Sequence, residues 1–181
     1  MRWKPVIAGL ALIGAAVVGR TWWATDDLDR VHALIATEHA GVEHISPDAF
    51  AALDPTATLV FDVREPDEFA VSHLPGAVRI DPGLSTEDFE ARFGDALAGK
   101  QAVFYCSVGR RSSIAAERYA DVLEARGVRS ANLARGIFGW VNEERQLVSA
   151  SGPTDVVHPY DAVWGRLVED EAAIRYTPVP N

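Results

Sequence analysis

Val103-Phe-Tyr-Cys-Ser-Val-Gly-Arg-Arg-Ser-Ser-Ile-Ala-Ala-Glu117 is the stretch that decides how this 181-residue chain is read. Ala102 to Tyr105 is an apolar run suited to a buried strand, and it ends at Cys106, the only cysteine. A short polar loop follows. Beyond it Ile114, Ala115, Tyr119, Val122 and Leu123 recur near the helical period, which predicts one long helix from Arg110 to Arg126 with Gly127 as C-cap. Strand, cysteine, loop and helix in that order bring the thiol to a point where free backbone N–H groups and the positive end of a helix dipole converge. Arg110 and Arg111 add positive charge, and together these favour a thiolate that acts as a nucleophile beside a bound anion. A lone cysteine is more often a small core hydrophobe, but Ser, Gly and two Arg around it are wrong for a core.

Outward from this stretch the chain alternates. Thr58-Leu-Val-Phe-Asp-Val63 is a continuous apolar run of the kind found in central parallel strands. Val42–Ile45, Ala77–Ile80 and Ser130–Leu133 read as further strands. Ser46 with Pro47 is a helix start, Pro66 opens a short helix, Thr86–Phe93 is a third and Ile137–Glu144 a fourth. The alternation predicts an α/β domain with a central parallel sheet flanked by helices. Such sheets bind ligands outside the carboxyl ends of their strands, which is where Cys106 falls.

Cys106-Ser-Val-Gly-Arg-Arg111-Ser resembles the Cys-x-x-Gly-x-Arg-Ser active-site loop of the rhodanese (sulfurtransferase) domain. Phe61-Asp-Val-Arg-Glu-Pro-Asp-Glu-Phe69, Ser72-His-Leu-Pro-Gly-Ala-Val-Arg-Ile80 and Leu133-Ala-Arg-Gly-Ile-Phe-Gly-Trp140 resemble that domain's other signatures, with Arg135 where a glycine is usual. The resemblance covers residues 43–148 and implies a three-layer rhodanese-like fold. It also implies transfer of sulfane sulfur: Cys106 takes a sulfur from thiosulfate or a persulfide and passes it, as a cysteine persulfide, to a thiol or to cyanide. No cofactor is called for. The backbone N–H groups of Ser107, Val108, Gly109, Arg110 and Arg111 would cradle the anion. Arg111 would point inward and order the loop, Arg110 would face substrate and solvent, and Ser112 would cap or begin the helix within reach of the sulfur. Of the supporting residues, Asp62 reads as structural, Arg64 and Glu68 as an ion pair, and His73 with Pro75-Gly76 as a turn element.

Two rival readings stand beside this one. Related cysteine phosphatases and arsenate reductases use Cys-x5-Arg, whereas Cys106 to Arg111 spans only four intervening residues, a tighter cradle. The other rival is a membrane-tethered binding or regulatory module on the same fold, although inactive versions usually lack the cysteine.

Charge and composition narrow the partners. The chain carries 17 basic and 26 acidic residues, a net −9. Without residues 1–23, which hold Arg2, Lys4, Arg20 and no acid, 14 basic residues face 26 acidic ones, a net −12. That balance speaks against nucleic acid. His32, His39, His44, His73 and His158 are scattered without metal-ligand spacing. Pro5 to Gly19 is uncharged, and extended to Ala24 the run reaches membrane-spanning length with Trp22 and Trp23 at an interface. Residues 1–24 thus read as an uncleaved anchor in preference to a removed signal, with the domain outside the cytoplasm on the periplasmic side. Residues 25–42 read as a linker helix. Residues 149–181 read as an extension, with Val156–Val168 expected as a helix laid back on the domain.

Overall fold

The computed structural model describes residues 27–178. The expected hydrophobic helix at residues 1–24 lies outside them, and no helix among the described residues is long and apolar enough to cross a membrane.

Five parallel strands make the central sheet: β1 (His44–Ile45), β2 (Thr58–Asp62), β3 (Val78–Arg79), β4 (Gln101–Tyr105) and β5 (Ser130–Leu133). Their order is β1-β5-β4-β2-β3, so β4, the strand that leads into Cys106, sits at the centre. Both faces of such a strand are covered, and for that reason β4 is apolar at every inner position rather than alternating. Val103 and Tyr105 enter one core with Val60, Leu133, Ile137 and Phe138. Ala102 and Phe104 enter the other with Phe61, Phe89, Ala115 and Tyr119.

The first core lies under α1 (residues 27–38), α2 (Pro47–Ala51) and α7 (Gly136–Asn142); the second lies under α4 (Thr86–Phe93), α5 (Arg110–Arg118) and α6 (Ala120–Ala125). The short α3 (Pro66–Val71) follows β2. Caps are local: Ser46 accepts from the Ala49 N–H, and Ser85 from the Asp88 N–H. The linker helix α1 is part of the domain, with Leu28 and Ile35 buried in the first core.

Two expectations need correction. The single helix over 110–126 is divided at Tyr119, whose ring stacks on Phe89 at 3.9 Å and whose hydroxyl donates to the Leu84 carbonyl. These contacts hold Tyr119 at φ −97°, ψ 3°, outside helical geometry. Among the described residues after 148 there is no α-helix. An antiparallel hairpin, β6 (Leu147–Ser149) and β7 (Gly152–Thr154), is followed by extended chain and two 3-10 turns, Trp164–Leu167 and Glu171–Ala173. Pro159 and the left-handed Tyr160 (φ +67°) rule out helical continuation there. Packing holds the extension down instead, with Val157, Leu167, Val168 and Ala173 buried in the first core.

Candidate active site

Cys106 follows the last residue of β4, and its side chain is 1% exposed. It is buried without being core: it forms part of a pocket of about 200 Å³ shared with Ser107, Val108, Arg110, Arg111, Tyr160 and Trp164. Gly109 adopts φ +102°, which a residue with a Cβ resists. This conformation turns the Gly109 N–H onto the Cys106 Sγ at 3.2 Å. The Gly109 carbonyl is fixed from behind by Asn132 Nδ2 at 3.1 Å and Ser113 Oγ at 2.8 Å. On the opposite side α7 docks end-on, as the Ile137 N–H donates to the Cys106 carbonyl and the Phe138 N–H to that of Ser107. The approach is so close that a Cβ on Gly136 would lie 2.4 Å from the Cys106 carbonyl oxygen.

Arg111 closes the loop. Its Nη1 and Nη2 donate to the two oxygens of Glu68 at 2.8 and 2.9 Å, and Nη2 also donates to Ser107 Oγ at 3.0 Å. The remaining acceptor sites of Glu68 take the Ser107 hydroxyl and the Glu65 N–H. A buried carboxylate is thus fully hydrogen-bonded by a bidentate arginine. Burial works against the Glu68 charge, but the Arg111 guanidinium outweighs it and holds the carboxyl below the usual range. Burial likewise works against the Arg111 charge, and Glu68 together with the neighbouring Cys106 more than offsets it.

The expected Arg64–Glu68 pair does not form. Arg64 precedes α3, and its side chain turns back beneath β2 to Asp62 (Nη2 to Oδ2, 2.7 Å) and the Ser72 carbonyl. Tyr105, across the strand register from Asp62, donates its hydroxyl to the same carboxylate at 2.5 Å and accepts the Leu74 N–H. Asp62 and Arg64 are fully buried and lie outside the pocket lining. His73 stacks on Phe69 at 3.9 Å and pairs by backbone with Val148, so it ties the turn to the hairpin. Ser112 is in the first turn of α5; the cap position belongs to Gly109, and the buried Ser112 Oγ has no hydrogen-bond partner.

Four contributors escaped the sequence reading. Tyr160 and Trp164 come from the extension and wall the pocket, with Arg111 over the Tyr160 ring at 5.0 Å. Glu38 of α1 pairs with Arg110 at 3.0 Å, so Arg110 faces the surface as expected but already holds a carboxylate. Asn132 braces Gly109. The clustered aromatics of His158-Pro-Tyr160 and Trp164 were the available signal; for Glu38 and Asn132 there was none. Among the described residues no group of His, Cys, Asp and Glu side chains is placed to hold a metal ion. A larger hollow of about 640 Å³ lies between α7 and the extension, lined by residues such as Asn142, Glu144, Arg145 and Asp170 and by no cysteine.

The loop-and-cradle geometry sits inside a segment with known relatives: residues 46–143 match the rhodanese-like domain. The chain belongs to this family. No curated protein matches the chain. Among solved structures, a rhodanese-related protein from Thermoplasma volcanium is 23% identical with a TM-score of 0.46, over 59% of this chain and 97% of that one. A rhodanese-like domain protein from Staphylococcus aureus is 23% identical with a TM-score of 0.42, over 55% and 91%. A thiosulfate sulfurtransferase from Pseudomonas aeruginosa is 20% identical with a TM-score of 0.52, over 66% of this chain but only 22% of its own length. That last likeness is one of fold. The matched segment thus holds β2 to β5 and the Cys106 loop, while Tyr160 and Trp164 reach the pocket from outside it.

Proposed function

We propose that this chain is a sulfurtransferase that carries sulfane sulfur on Cys106. The observation that carries the reading is a lone cysteine forming part of a small pocket, with the Gly109 N–H on its sulfur at 3.2 Å and Arg111 locked across the loop. In the first half-reaction the Cys106 thiolate attacks the outer sulfur of the donor. A Cys–S bond forms, the donor S–S bond breaks, and its electron pair leaves with sulfite when the donor is thiosulfate or with a thiolate when it is a persulfide. In the second, cyanide or a thiolate takes the outer sulfur as thiocyanate or a persulfide and the Cys106 thiolate is regenerated. No proton transfer is needed once the thiolate is formed, which agrees with the absence of His73 and Asp62 from the pocket lining.

Two features disfavour phosphate chemistry. The loop is one residue shorter than a Cys-x5-Arg cradle, and both loop arginines are engaged by carboxylates, so little free positive charge is left for a phosphate dianion. Residues 1–24 support a membrane tether with the domain on the periplasmic side; resistance of the full chain to carbonate extraction and its accessibility to added protease test that placement. The activity is tested by thiocyanate formation from a sulfane donor and cyanide. Turnover by the wild type and none by Cys106→Ser is expected. Hydrolysis of an aryl phosphate without thiocyanate release contradicts the reading.

A further inference from the structure

The two arginines at the pocket are not free cations. Arg111 is held bidentately by Glu68, and Arg110 is paired with Glu38. The two guanidinium groups that line the pocket are each paired with a carboxylate outside its lining, so a second negative charge on a donor finds little left to neutralise it. Beyond Cys106 and Ser107 the rest of the wall is apolar: Val108 from the loop, Tyr160 and Trp164 from the extension. A volume of about 200 Å³ equals roughly six or seven waters, more than a bare inorganic ion fills and enough for a small ring or short chain.

The aromatic wall is also prebuilt. Tyr160 keeps its left-handed backbone because its N–H donates to His158 Nδ1 at 3.0 Å, and Asp161 Oδ1 caps the Val163 and Trp164 N–H groups. Burial lowers the pKa of His158, which keeps the acceptor nitrogen available. Residues held in sparsely populated backbone regions cluster at ligand-binding sites, where the surrounding structure over-determines them.

Resting on the sulfurtransferase reading, we infer that Tyr160 and Trp164 make this pocket selective for an organic monoanion, an aryl or alkyl thiosulfonate, over the thiosulfate dianion. The apolar group lies against the aromatic wall, and the charged SO2–S head meets Arg111 and the loop N–H groups. The transfer balances as before: RSO2–S⁻ and the Cys106 thiolate give the Cys106 persulfide anion and RSO2⁻, with the electron pair of the broken S–S bond leaving on the sulfinate.

The test compares benzenethiosulfonate with thiosulfate on the full chain, with cyanide as common acceptor and the mass gain on Cys106 as a second readout. The wild type is expected to favour benzenethiosulfonate in kcat/KM by roughly tenfold or more, the scale of one aromatic contact. In Tyr160→Ala and in the Tyr160→Ala/Trp164→Ala pair the ratio is expected to fall toward one. Tyr160 is 49% exposed, so its single variant is compatible with folding. On the wild type alone, the unreactive benzenesulfonate is expected to compete with thiosulfate better than methanesulfonate does. Loading of Cys106 by both donors at equal rates, or a preference untouched by the wall substitutions, overturns the inference alone. No mass gain from either donor overturns the parent reading and this one with it.

Discussion

Glu68 is the residue on which the loop depends, because it alone joins α3 to Ser107 and Arg111. Glu68→Gln keeps the shape but leaves the half-buried Arg111 charge without its counter-ion. The expected cost is about 2 kcal/mol, or a fall in Tm of roughly 4–8 °C for a chain of this size, measured by thermal unfolding. Unchanged stability would mean that the pair is incidental. The buried His158 and the half-buried His32 and His44 set a second expectation. Burial is the main cause lowering the pKa of His32, His44 and His158. An imidazole that resists protonation when folded but accepts it when unfolded leaves stability intact above its unfolded pKa, about 6.5, and erodes it as pH falls below that value. Glu68, held below the usual carboxylate range, loses its contribution only as pH falls lower, through that range. Urea unfolding at pH 7.5 and 5.5 is therefore expected to show a drop at the lower pH that His44→Gln reduces; an identical slope in that variant would contradict the assignment.

At the scale of elements, the approach of α7 to the loop is the tightest feature of the site. Gly136→Ala places a Cβ within 2.4 Å of one backbone oxygen and 2.7 Å of another, at a residue with φ +56°. Backbone cannot yield as a side-chain tip does, so α7 must lift away from the Cys106 and Ser107 carbonyls. The expected outcome is a loss of more than about 3 kcal/mol together with loss of sulfur loading, and a stable, active Gly136→Ala protein would show that the docking is not needed. Beside it, Arg135 stands in left-handed geometry at φ +62° where a glycine is usual, anchored by Glu143 and Asp29. These elements also show what was legible in the sequence. β2 and β4 could be read because a strand buried on both faces is a continuous apolar run bounded by turns. The expected Arg64–Glu68 pair does not form because residues four apart face each other only inside a helix. Arg64 lies ahead of α3, so its side chain was free to turn to Asp62.

At the scale of the whole molecule, the rhodanese-like core does not stand alone. The extension buries Val157, Leu167 and Val168 against it, at roughly 1.5–3 kcal/mol per side chain, a sum comparable to a net stability of about 5–15 kcal/mol. A chain ending at Ser151 is expected to lose cooperative thermal unfolding, whereas a Tm within a few degrees of the full chain would show the extension to be an appendage. Its role was hidden from the sequence because extended chain and 3-10 turns carry no period, and only the aromatics hinted at burial. The Glu38–Arg110 contact was hidden for another reason: it joins residues 72 positions apart through the docking of α1. The measurement that tests the central claim most directly is the intact mass of the full chain after exposure to a sulfane donor, beside Cys106→Ser treated alike. A gain of one sulfur on the wild type alone, removed by cyanide with release of thiocyanate, is the predicted result. A wild type whose mass stays unchanged with both thiosulfate and benzenethiosulfonate, or a Cys106→Ser protein that gains the same mass, would contradict it.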